Sequence, residues 1–169
     1  MALQPVQGQS HMKKPRVPKP ALPPPGLRPK LDATQQTDLA ITHLAAVDDI
    51  VSGRGTFQTL LQYMGGLVTW MFVAEALRRK AETEQHVKWH AAMATAFGSI
   101  QAVADRYTRT KKTGFTGQEY QLAKAACEAM DELAAAADLA LASAAADRAE
   151  VFVNQLVDVI NQRINITKE

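Results

Sequence analysis

The chain has 169 residues, a net charge of +2 and a pI near 8.7, but its charge is segregated. All eight prolines lie between Pro5 and Pro29, and six of the 19 Lys and Arg precede the first carboxylate, Asp32, leaving about +6 on that segment and about −4 on the rest. A mildly acidic body excludes a fold wrapped on nucleic acid through a basic face, and a lone cysteine, Cys127, excludes an internal disulfide or a cysteine-based zinc site.

The expected fold is all-α: a helical bundle of four or five helices over residues 32–169, preceded by an extended Pro-rich basic tail over residues 1–31. The prolines fix φ and remove amide donors, which favours polyproline II over helix. Met12-Lys-Lys-Pro15 reads as an alternative start. No basic stretch leads into an apolar run, so the cytoplasm is expected and the sequon at Asn165-Ile-Thr167 is read as chance.

The first helix is expected from about Ala33 to Ser52, with Asp32 and Gln35 as a capping box and Gly53-Arg54-Gly55 as its stop. Leu39, His43, Leu44, Ala46, Val47, Ile50 and Val51 share one face of it, to be packed on a core. The second helix, about Thr56 to Lys80, is apolar all round and belongs at the centre of a bundle or between a bundle and a partner. Its apolar run from Leu60 to Leu77 is about 18 residues long where about 20 span a bilayer, and Gln62, Thr69 and Glu75 interrupt it, so a buried helix is expected and no membrane. Gly65-Gly66 costs about 1–2 kcal/mol of helix propensity. Close approach of a neighbouring helix, or a kink, accounts for that cost; a ligand needing backbone contact is the alternative.

In the third helix, about Thr83 to Tyr107, Trp89, Met93, Ala96, Ile100, Val103 and Tyr107 alternate spacings of four and three, the seam of antiparallel packing. Thr108 to Gly114 reads as a loop. Thr116 and Glu119 then form a capping box, with Phe115 and Tyr120 placed as a hydrophobic staple. From there to about Ile164 there is no proline. The apolar face marked by Met130, Leu133, Ala137 and Leu141 is rotated from that of Phe152, Val153, Leu156, Val159, Ile160 and Ile164, which predicts a break near Leu139 to Ala146. Cys127, beside Ala126 and Met130, reads as a small buried hydrophobe.

Candidate chemistry is sparse. Glu82, His86 and His90 are one turn apart and could present metal ligands along one face, against the alternative of histidines bonded to their neighbours. No cofactor is expected. Arg79 and His86, six residues between them, resemble the Arg-x4–6-His signature of HEPN-type ribonucleases, with Lys80 where that family often has a small polar residue. The resemblance implies His86 as general base and Arg79 as phosphorane stabiliser. In the tail, Lys13, Lys14, Arg16, Lys19, Arg28 and Lys30 sit among proline ridges suited to an aromatic-lined groove of a protein partner, although the Arg-x-x-Pro-x-x-Pro spacing of SH3 ligands is missing. The same cations could instead touch the phosphates of a nucleic acid.

Gly65-Gly-Leu-Val-Thr-Trp70, and Tyr107-Thr-Arg-Thr110 with Gly114-Phe-Thr-Gly-Gln-Glu-Tyr120, resemble stretches of small uncharacterised helical proteins of proteobacterial phages and prophages. The resemblance implies an accessory protein of a mobile element that acts by binding another component. The expected function is a non-enzymatic interaction protein of the adaptor or inhibitor kind, homo-oligomeric, docking on a protein partner through its tail.

Overall fold

The computed structural model describes the backbone of residues 28–166 and the side chains of residues 28–159. Five helices follow in order: α1 (Ala33–Val51), α2 (Phe57–Lys80), α3 (Glu84–Thr110), α4 (Gly117–Ala136) and α5 (Leu139–Ile166). An isolated antiparallel bridge between Lys30 and Asp138 is the one piece of β pairing among the described residues.

Each of the first four helices begins on a side-chain cap. Asp32, Thr56 and Thr116 each complete a reciprocal box with the residue three on, and Thr83 accepts from the His86 amide. Gly53, at φ +73°, turns the chain out of α1 in the left-handed region that a side chain rarely enters. Thr113 then ties two loops together, donating to Gly55 O at 2.8 Å.

Helices α1 to α4 close a ring in which α1 packs on α2, α2 on α3, α3 on α4 and α4 on α1, while α5 lies along the outside of α2. That arrangement explains why α2 carries no polar face. The side of it that a four-helix ring would leave open is covered by α5. By length and composition α2 alone among the described helices could cross a membrane, and it is also the helix that packs on all four others. Leu60, Tyr63, Met64, Leu67, Val68, Trp70, Val73 and Ala74 are all buried in it, and it runs unbroken through Gly65-Gly66. On α3 the expected seam is buried from Trp89 to Val103, and Tyr107 closes it by stacking on Phe57, centroids 5.9 Å apart. Cys127 is buried, which pushes its thiol up to about 11.

Three expectations are corrected. The break between α4 and α5 falls at Ala137–Asp138, before the stretch Leu139 to Ala146, because Asp138 can cap: its Oδ1 accepts from the Leu141 amide at 2.7 Å, whereas the alanines beyond favour continuing helix. The staple of Phe115 on Tyr120 does not form; Phe115 meets Tyr63 edge-on at 6.4 Å and Tyr120 is exposed. On α1, His43, Ala46, Val47 and Ile50 are buried, but Leu44 and Val51 are exposed like Ile41, because α1 packs chiefly on α2 and α4 and these residues lie off that side.

Candidate functional site: a groove over the glycine pair

Because α1 and α5 flank α2 with little contact between them, a groove of about 310 Å³ remains, with α2 as its floor. Leu39 and His43 line it from α1, Gly66, Thr69 and Trp70 from α2, and Leu139, Ala142, Ser143 and Ala146 from α5; Leu31 closes one end. A second hollow of about 230 Å³ continues it along α2 and α5, sharing Thr69 and Ala146 and adding Gly65.

His43 is 7% exposed, and its imidazole has no hydrogen-bond partner among the described residues. Burial alone holds its pKa down at about 4, so the ring is neutral at pH 7. No fully enclosed side-chain nitrogen or oxygen in the described residues lacks a partner, which means that the polar edge of this ring opens onto the groove. Its position depends on Gly66, where a Cβ would come 2.6 Å from His43 Nε2. Gly65 is different: a Cβ there would meet nothing within 4 Å. The sequence shows His43 on the apolar face of α1 and two helix-weakening glycines in α2, but that the ring lies on the glycine is a through-space fact with no local signal.

The other candidate residues are placed as follows. Arg79 Nε donates to Glu75 Oε1 at 2.7 Å, and Arg78 bridges Glu75 and Glu82; together Arg78 and Arg79 hold the Glu75 carboxyl down at about 2. His86 Nδ1 lies 2.6 Å from Ala81 O, so it carries the proton that the carbonyl accepts, and the ring packs on Trp89 at 5.4 Å. Trp89 Nε1 and Gln85 Nε2 both donate to Glu132 Oε2, at 2.6 and 2.7 Å. Arg79 and His86 are thus each engaged with a different group. Glu82 is turned to Arg78 and His90 is half-buried; no group of three or more His, Cys, Asp or Glu able to hold a metal occurs among the described residues.

Of the tail cations, Lys13, Lys14, Arg16 and Lys19 lie outside the described residues. Arg28 pairs with Asp138 Oδ2 at 3.7 Å, and Lys30 Nζ reaches Ala135 O at 3.5 Å. Between them Pro29 O accepts from the Leu139 amide at 2.8 Å, and Leu31 is buried. The root of the tail is therefore seated on the α4–α5 turn, at the groove's end. No protein-family model, curated protein or solved structure matches the chain.

Proposed function

We propose that the chain is a non-enzymatic helical interaction protein, an adaptor or inhibitor of the accessory kind found in phages and other mobile elements, that holds a protein partner by its Pro-rich basic N-terminal segment. The seat of Arg28 to Leu31 on the α4–α5 turn carries this reading. A partner bound to the segment before Arg28 is tethered at one point of the bundle. Its chemistry follows from the segment: Arg16-Val-Pro-Lys-Pro-Ala-Leu-Pro-Pro-Pro25 offers proline ridges and cations, which fit an aromatic-lined groove flanked by carboxylates. Self-association belongs to the same proposal. Val151 on α5 and Ile41 on α1 are 58% and 60% exposed, apolar surface that a second copy would bury.

The test is a pull-down from the source cell, run with and without nuclease, comparing the whole chain with one beginning at Arg28, so that Leu31 stays seated. A protein retained by the whole chain and lost with the shorter one is the expected result. Retention of RNA or DNA alone overturns it in favour of a nucleic-acid partner. Light scattering at micromolar concentration is expected to give a dimer mass; a monomer removes the self-association.

A further inference from the structure

We propose that the α1–α2–α5 groove is a binding site for a small, neutral, mostly apolar molecule of one or two rings carrying a single hydroxyl, which bonds to His43 while its rings lie against Trp70.

The size follows from the volume. A cavity of about 150 Å³ holds benzene, and this one is about 310 Å³. The polarity follows from the lining. Leu31, Leu39, Leu139 and the alanines of α5 are apolar, Trp70 is apolar but for its indole N–H, Ser143 adds one hydroxyl, and no Lys or Arg is among the lining residues to neutralise an anion. His43, uncharged at pH 7, favours a neutral group that exchanges one hydrogen bond over a carboxylate or phosphate. The His43 nitrogens bond to no described residue and face the groove, where a ligand hydroxyl would take the place of water.

The glycines give a second, independent pointer. Each costs a helix interior about 0.5–1 kcal/mol relative to alanine. Gly66 is accounted for by the His43 ring. Nothing in the described residues packs on Gly65, so within the fold its missing Cβ adds only depth to the hollow that continues the groove. Thr69 donates its hydroxyl hydrogen to Gly65 O at 2.8 Å, so it can offer a ligand only an acceptor.

The experiment is an NMR titration of the full-length chain with 2-naphthol, following the His43 imidazole and Trp70 indole resonances, with naphthalene as the probe lacking the hydroxyl. Saturable shifts of both side chains are expected, with naphthalene binding about three- to ten-fold more weakly, the worth of one hydrogen bond. Ala146 is an exposed groove residue, so Ala146→Phe should fill the groove without disturbing the core and abolish the shifts. Three results would overturn the proposal. One is no saturable shift, or equal shifts in Ala146→Phe. Another is nuclear Overhauser contacts in the free protein from residues before Arg28 to His43, which would make the chain's own segment the occupant. The third is a concentration-dependent shift of His43 without probe, which would make it a second copy.

Discussion

Tyr63 and His43 are both buried aromatic side chains with a polar edge, and the fold treats them in opposite ways. Tyr63 lies inside the four-helix ring, donates to Ala123 O at 3.2 Å and has Phe115 against its ring. His43 lies on the other flank of the molecule, between α1, α2 and α5, with no hydrogen bond among the described residues and a groove before it. One flank of α2 is thus closed by large side chains whose polar atoms are matched, and the other is kept open by glycines and alanines. The difference teaches that α2 serves both as a core helix and as the floor of a recess.

The largest effect should come from breaking the closed flank. Tyr63→Ala is expected to cost about 3–5 kcal/mol in urea unfolding, as for other large aromatic truncations in a packed core. A loss below about 1 kcal/mol would show that this flank is no better packed than the groove. On the open flank, acid should be the stress. His43 binds its proton near pH 4 when folded and near 6.5 when unfolded, so between those values the unfolded chain holds the extra proton. Stability is full above about pH 6.5 and falls on acidification towards pH 4, by about 3 kcal/mol. Carboxylates titrate over part of the same range, so the test is the difference from His43→Leu, whose stability should lack this component; parallel pH profiles would place the ring in water.

A smaller effect separates the two glycines. Gly65→Ala is expected to raise stability by about 0.5–1 kcal/mol, since its Cβ meets nothing, whereas Gly66→Ala must displace His43 and should lower it. Thermal melts giving the same sign for both would remove the distinction. No effect at all is expected from His86→Ala on RNA: the purified chain should leave a labelled RNA intact with or without it. Cleavage that disappears in the variant would restore the ribonuclease alternative built on Arg79 and His86.

Much of the closed flank is legible in the sequence, because its signals are local. Asp32 with Gln35 and Thr116 with Glu119 mark helix starts within four residues, and the Trp89 to Tyr107 spacing is a face written into one helix. The α4–α5 break is legible only as a rotation of the apolar face; its position depends on Asp138 acting as a cap, which a single aspartate among alanines does not announce. Exposure of Leu44 and Val51 is not legible, since it depends on which helices pack beside α1. For the groove, the residue types are visible and their meeting is not. His43, Gly66 and Ser143 come from three helices, and only tertiary packing sets them around one recess.

Asp138 has a mechanical consequence. One oxygen of its carboxylate holds the first turn of α5 and the other holds Arg28, while the adjacent Leu139 amide holds Pro29. A pull on the N-terminal segment therefore loads the α4–α5 turn through Asp138, Leu139 and Ala135. The load is resisted by a few polar contacts that open one after another like a zip, not by a long ladder sheared at once. The same first turn carries Leu139, a wall of the groove. Tension on the tail and the shape of the recess thus meet at the start of α5 and at Leu31, which closes the groove's end.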